Sequence, residues 1–304
     1  MKILCIFHGN CADGFGSAWA VHEALQGSDH QLDFFPGVYQ QPPPDVAGKV
    51  VLLVDFCYKP EVMEDLARSA HAIVILDHHK TAMEDFQSHS YDNMMVTNMG
   101  AWPDPTWERL SREIHDHVFS GEHLYYLFDM DRSGAMITWQ FFHEAPPPQL
   151  MLHIQDRDLW RFEMDNTREI QAAVFSYPYD FQVWTGLMEG NIHALANQGI
   201  AIERKHHKDV QELVGICKRE MEIDGHKVPV ASLPYTMVSD AAHLMALDAP
   251  FAACYWDTPE GRTFGLRSVE GGMDVGEIAR SYGGGGHKHA AGFSVKRYHH
   301  LAMD

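Results

Sequence analysis

Two uninterrupted apolar runs, Lys49–Phe56 (KVVLLVDF) and Ala72–Leu76 (AIVIL), restrict the folds open to this chain more than any other feature. A strand with one wet face alternates apolar and polar side chains. A run without alternation is a strand covered on both faces, as in a parallel sheet flanked by helices. Parallel neighbours need a crossover, and Pro60–Ser69, between the two runs, has the make-up of a crossover helix. The same rhythm opens the chain. Met1–Phe7 reads as a strand, and Gly14–Leu25 sets Phe15, Ala18, Val21, Ala24 and Leu25 at helical spacing. Leu32–Pro36 reads as a further strand, and Pro42-Pro43-Pro44 as a surface connection. The fold class expected is α/β.

Ser88–Glu122 is less regular and reads as an insertion forming a cap. Ser133–His143 then reads as a helix, Pro146-Pro147-Pro148 breaks the chain, and Leu150–Phe162 carries the acidic residues Asp156 and Asp158. Gly186–Glu222 reads as largely helical. Beyond it come the strand-like runs Lys227–Ser232, Phe251–Trp256 and Thr263–Ser268, and then Gly283–Gly286 before His287. A length of 304 residues suggests two domains. The expected division is a parallel-sheet domain over 1–187 (insertion at about 88–122), a helical linker over 188–222, and a smaller α/β domain over 223–304.

The chain has 42 acidic against 23 basic residues, a net charge of −19. Long nucleic acid draws affinity from many Lys/Arg–phosphate contacts, so such a partner is not expected. A small anionic substrate is not excluded, because a bound divalent cation inverts the local field. No apolar stretch approaches the ~18 residues of a membrane span, and the N-terminal apolar run is too short for a secretory signal. Cys5, Cys11, Cys57, Cys217 and Cys254 are scattered and form no CxxC pair, against a disulfide scaffold or zinc ribbon. The expectation is a cytoplasmic protein with no membrane partner.

Four polar clusters fall at the carboxyl ends of expected strands, where open α/β sheets gather ligands. His8 and Asp13 follow the first strand, Asp55 closes the Lys49–Phe56 run, and Asp77-His78-His79 closes the next. Each has a bland reading on its own: a loop histidine, a helix-capping Asp, a surface turn. The coincidence of all four at one edge argues for a site. His206-His207 and His299-His300 read instead as chance neighbours among 21 histidines. Imidazole and carboxylate donors suit Mn²⁺, Mg²⁺, Fe²⁺ or Zn²⁺. Asp55, central in the strand order, could bridge two ions about 3.5–4 Å apart, an arrangement that clamps a phosphoryl transfer. Gly283–Gly286 is either a flexible turn or an anion nest, with His287 and Lys288 as further donors and Arg267 as a bidentate phosphate contact. Phe175, Tyr177, Trp184 and Trp256 are either core or base-stacking residues.

These residues resemble the motifs of the DHH phosphoesterase superfamily over nearly the whole chain. Asp77-His78-His79 is similar to its name-giving motif, and Gly283-Gly284-Gly285-Gly286-His287-Lys288-His289-Ala290-Ala291-Gly292-Phe293 to that of its DHHA1 domain. His8-Gly9-Asn10-Cys11-Ala12-Asp13-Gly14-Phe15 resembles the first motif and Val54-Asp55-Phe56 the second. Asp129–Ala135 with Ile154–Trp160 resembles the fourth-motif region. The similarity is greatest to nanoRNases and linear-dinucleotide (pGpG, pApA) phosphodiesterases.

The resemblance implies a DHH catalytic domain and a DHHA1 substrate-binding domain, with two divalent ions, Mn²⁺, on the first. His8 and Asp55 would hold one ion; Asp13, Asp55, His78 and Asp156 the other. Asp77 would orient His78, and His79 would meet the scissile phosphate as donor or leaving-group acid. A metal-activated hydroxide would release nucleoside 5′-monophosphates from short 5′-phosphorylated RNAs. Arg267, Ser268, Gly285, Gly286, His287 and Lys288 would bind the distal part of the substrate. A homodimer is in keeping with related families. One departure stands out: Asn10 and Cys11 occupy the place where many members carry another Asp. Cys11 is therefore a thiolate ligand or a structural residue, and Asp158 an alternative to Asp156. Other activities of the superfamily remain as alternatives: 3′-phosphoadenosine 5′-phosphate phosphatase, cyclic-nucleotide phosphodiesterase or exopolyphosphatase. A nucleotide-binding sensor with an impaired centre is the alternative from another class.

Overall fold

The computed structural model describes residues 1–92, 94–116 and 123–303. The chain divides into two compact units, Met1–His79 with Met83–Glu203, and Lys80–Ala82 with Arg204–Asp304.

Along the first part of the chain the elements are β1 (Lys2–His8), α1 (Ala12–Leu25), β2 (Gln31–Gly37), β3 (Val50–Val54), α2 (Pro60–Ser69), β4 (Ala72–Asp77), α3 (Lys80–Ser88), β5 (Met95–Asn98), α4 (Trp107–Asp116), β6 (His123–Phe128), α5 (Gly134–Phe142), α6 (Gln149–Asp158), α7 (Thr167–Val174), α8 (Phe181–Met188) and α9 (Ile192–Cys217). The division between the units falls inside α9. Among the described residues the first sheet has the order β2-β1-β3-β4-β6-β5. Every pairing in it is parallel. β3 and β4 are buried at every position, as their unbroken apolar character requires.

The stretch expected to be a capping insertion contributes instead the edge strand β5 and the helix α4; its residues 117–122 lie outside the described residues. β6 follows directly and pairs with β4 and β5. On one face of the sheet, α1 packs its Phe15, Trp19 and Val21 into a core shared with Leu52, Val74, Trp139 and Trp184. Gly14 permits this approach, because a Cβ there would lie 2.2 Å from the His8 carbonyl oxygen. The first turn of α1 is thereby held against the end of β1.

The second unit contains β7 (Arg219–Ile223), β8 (His226–Ser232), α10 (Val238–Ala246), β9 (Ala252–Asp257), β10 (Gly261–Arg267), α11 (Val275–Ser281), β11 (Gly285–His287), β12 (Ala290–Lys296) and α12 (His300–Met303). Its sheet runs β11-β12-β10-β9-β8-β7, with only the β8–β9 pair parallel among the described residues. The helical reading up to Glu222 overshoots: α9 ends at Cys217 and Arg219–Ile223 is a strand. Asp224 and Gly225 turn that strand back onto β8 with φ of 52° and 75°, the positive-φ pair favoured by two-residue hairpins. Among the described residues, no helix is long and apolar enough to cross a membrane.

Candidate metal centre

Three strand ends of the first unit deliver their side chains to one place. His8 Nδ1 lies 3.5 Å from Asp55 Oδ2, and His78 Nε2 lies 3.1 Å from Asp55 Oδ1. His78 Nε2 is also 3.7 Å from Asp13 Oδ2 and 3.4 Å from Asp158 Oδ2. Two donor sets emerge, His8–Asp55–His79 and Asp13–Asp55–His78, each with its ligand atoms within 4.8 Å of one another. Asp55 belongs to both.

The backbone explains much of this convergence. Asp13 stands in the first turn of α1, and its carboxylate accepts from the first two N–H groups of α5, Gly134 at 2.6 Å and Ala135 at 3.1 Å. Those groups have no intrahelical partner, so a carboxylate there satisfies them and meets the positive end of the helix. Ser133 starts α5 by accepting from Met136 N–H at 3.4 Å. Asp55 has a φ of 54°, a conformation uncommon outside glycine in which Asp and Asn are enriched. Gly134 lies directly against it: a Cβ at 134 would come within 2.4 Å of Asp55 Cβ.

Asp77, expected to orient His78, also engages the neighbouring His79 ring with its side chain. Its Oδ1 accepts from the backbone N–H groups of His78 and His79, and lies 2.7 Å from His79 Nδ1. The carboxylate therefore fixes the turn and holds the His79 ring through its Nδ1.

Asp156 is not brought to the centre. Its buried carboxylate accepts from Glu163 N–H, Met164 N–H and Thr167 Oγ1, at 2.9, 3.2 and 2.6 Å. Asp158, two residues on, points elsewhere on the helix and is the one beside His78. Cys11 caps α1 by position, with no side-chain capping bond, and belongs to neither donor set; burial pushes its thiol above the ordinary range. Asp129, in the fourth-motif region, is engaged locally by Arg132 Nε at 2.7 Å and Asp131 N–H at 2.9 Å.

In the second unit Arg267 and His287 lie in register with Ala290 from its two sides, so β12 gathers the residues expected to meet substrate. Arg267 donates to Ser239 Oγ at 2.8 Å, and Ser268 Oγ lies 2.8 Å from His289 Nδ1. The glycine run is neither a loose turn nor an open nest. Gly285–His287 pairs with β12, and a Cβ at Gly284 would fall 2.1 Å from the Gly292 carbonyl oxygen.

Electrostatics distinguish the centre from an ordinary ion-pair network. Burial, and then the neighbouring Asp158 and Asp55, push the Asp13 carboxyl well above its usual range. Asp158 is raised by burial as well, although His78 works against it. Asp55 goes the other way: burial opposes its charge, but His78, His8 and His79 together hold it well below the carboxylate range. Despite burial, Asp158, Asp55 and Asp13 push His78 up to about 10. Asp13, Asp55 and Asp158 crowd together too closely for His8, His78 and His79 to keep all three ionised at once. His8 Nδ1, Asp55 Oδ1 and Asp158 Oδ2 are buried and make no hydrogen bond of good geometry, and buried polar atoms of that kind ask for an explanation. Divalent cations shared through Asp55 would satisfy these atoms and relieve the repulsion, so the donors fit metals of the Mg²⁺, Mn²⁺, Fe²⁺ or Zn²⁺ type.

Two contributors were not singled out by the sequence. Gly134 matters through contact, and Tyr39 packs its ring edge-on to His8 and His79, at 5.4 and 6.0 Å between centroids.

No family model matches the chain. A relative in Acanthamoeba polyphaga mimivirus, the uncharacterized protein R106, is 25% identical over 312 residues, covering 95% of this chain and 66% of that protein. The chain thus spans just under two thirds of that relative's length. Similar solved structures include the pGpG-specific phosphodiesterase PggH from Vibrio cholerae, at 12% identity and a TM-score of 0.43 over 97% of this chain and 94% of that one. RecJ from Thermus thermophilus in complex with Mn²⁺ is similar at 15% identity and a TM-score of 0.47, over 97% of this chain and 50% of that one. At such identities and TM-scores the likeness carries no functional argument, and the centre's own side chains supply it.

Proposed function

We propose that the chain is a metal-dependent phosphodiesterase that hydrolyses short 5′-phosphorylated oligoribonucleotides, chiefly linear dinucleotides such as pGpG or pApA, to nucleoside 5′-monophosphates. The observation that carries the proposal is the sharing of Asp55 between two donor sets. Two divalent cations, Mn²⁺ in this reading, held by His8 and Asp55 and by Asp13, Asp55, His78 and Asp158, would polarise a phosphate and lower the pKa of water. Asp77 then has a defined task. Its Oδ1, 2.7 Å from His79 Nδ1, fixes the ring so that Nε2 can hold a proton toward a phosphate or leaving oxygen. The net charge of −19 disfavours a long polyanion and leaves a short substrate as the better fit. Arg267, Ser268, Gly285, Gly286, His287 and Lys288 are assigned to the distal end of that substrate.

The test is turnover with Mn²⁺ against pNpN dinucleotides, longer RNAs, cyclic dinucleotides, 3′-phosphoadenosine 5′-phosphate and polyphosphate. Release of nucleoside 5′-monophosphate, fastest from dinucleotides, is expected. Equal rates on long RNA, or phosphate release from polyphosphate alone, would overturn the substrate assignment.

A further inference from the structure

Directly after Asp158 the backbone is held in an unusual way. Trp160, Phe162 and Asn166 all have positive φ, at 55°, 51° and 64°. Strain of this kind persists only where surrounding structure over-determines it, and it concentrates at ligand clamps and active sites. Here the determinant is Asp156. Its carboxylate takes three hydrogen bonds from the far side of the loop, while its carbonyl oxygen accepts from Arg161 N–H at 2.8 Å and Phe162 N–H at 3.3 Å. The loop that follows a metal-centre carboxylate is therefore rigid.

What the loop and its neighbours present is unusual for so acidic a chain. The Arg157 guanidinium lies over the Phe175 ring, 4.6 Å from its centroid, and that of Arg168 lies 3.7 Å from the Phe162 centroid. Among the described residues, neither Arg157 nor Arg161 pairs with a carboxylate; the Arg161 side chain donates to the Asp131 carbonyl oxygen at 2.9 Å. Phe175 is 46% exposed, whereas Trp184, another aromatic singled out in the sequence, is fully buried in the core. Aromatic faces backed by guanidinium planes are what unstacked nucleobases pack against, and the guanidinium edges suit the adjoining phosphates.

We propose that Phe175 with Arg157, together with the loop fixed by Asp156, forms a nucleobase-stacking subsite for the nucleotide next to the scissile phosphate. The proposal rests on the phosphodiesterase reading for its substrate, but its test is a binding measurement that does not require turnover.

Affinities of pApA and of an analogue lacking the base of one nucleotide are measured by titration calorimetry in excess Ca²⁺. The wild-type chain is expected to prefer the intact dinucleotide by about ten-fold or more, the usual scale for one stacked base. Phe175→Ala should erase most of that preference, with a thermal melt confirming that the variant folds. Arg157→Lys keeps the charge but removes the planar stacking partner, so it should reduce the preference part-way without the folding risk. A wild-type chain that binds both ligands equally, or variants that retain the full preference, would overturn the subsite. Loss of the base preference in a chain that hydrolyses no phosphodiester would uphold the subsite and overturn the enzymatic reading instead.

Discussion

Gly134→Ala tests the centre at a residue with no chemistry of its own. Gly134 opens α5 with ordinary helical geometry, so the backbone accepts alanine, and helix propensity favours it by up to ~1 kcal/mol. The contact is the obstacle. The new methyl would stand 2.4 Å from Asp55 Cβ and 2.8 Å from its Cγ and Oδ1. Carbon atoms rest about 3.5–4.0 Å apart, so the shortfall is roughly 1.1–1.6 Å. If Asp55 yields, both donor sets lose their common ligand. If α5 yields, its N–H groups at 2.6 and 3.1 Å pull Asp13 with them. Overpacking costs about 1–3 kcal/mol, which the propensity gain partly offsets, so a melt in EDTA should drop by less than about 8 °C. A displacement near 1 Å at a reacting group costs ~100-fold in rate. The expected outcome is a folded protein with Mn²⁺ affinity and dinucleotide turnover down by roughly two orders of magnitude. Unaltered affinity and rate would show that Asp55 is not where the cations bind.

The two acidic residues near the end of α6 should separate cleanly. Asp158→Asn should weaken Mn²⁺ binding in calorimetry with little change in the metal-free melt, whereas Asp156→Asn should leave metal affinity close to normal. The latter should lower stability by about 1–3 kcal/mol in urea, because a buried acceptor of three hydrogen bonds is compromised. The reverse pattern would restore Asp156 as a ligand. His78 sets a pH dependence for the metal-free protein. Its folded value of about 10 stands above an unfolded value near 6.5, so its stabilising contribution is whole below ~6.5 and is lost as pH climbs through about 10. Melts in EDTA should therefore decline across that interval while Mn²⁺ affinity rises, since metal and proton compete for one nitrogen. A flat profile in both would contradict the assignment.

The central parallel sheet was legible because β3 and β4 run almost wholly apolar, a pattern only double coverage produces. His8, Asp13, Asp55 and Asp77–His79 were legible for the related reason that strand ends are easy to place when strands are. β5 and β6 were not, since residues 88–128 mix Met, His and aromatics without a clear period. The β7–β8 hairpin was missed although Asp224-Gly225 carried its turn chemistry; the run of helical residues before it masked the change of period. Choosing between Asp156 and Asp158 depends on the direction of each side chain at a helix end. One-dimensional spacing does not give that direction, and only the partners of Asp156 in the following loop do. Gly134 falls in the stretch that resembles the fourth-motif region, but its role of leaving space beside Asp55 follows from contact and not from spacing.

The backbone turn at Asp55 narrows the menu for that position before any reaction is considered. With φ at 54°, side chains branched at Cβ are sterically penalised, and glycine, asparagine and aspartate are the residues that enter this region most readily. Of those three only aspartate brings a negative charge and two oxygens that can face opposite ways. Steric tolerance and ligand demand thus favour the same amino acid independently, and glutamate, nominally the mildest exchange, enters this backbone region less readily and carries its carboxylate one methylene farther out.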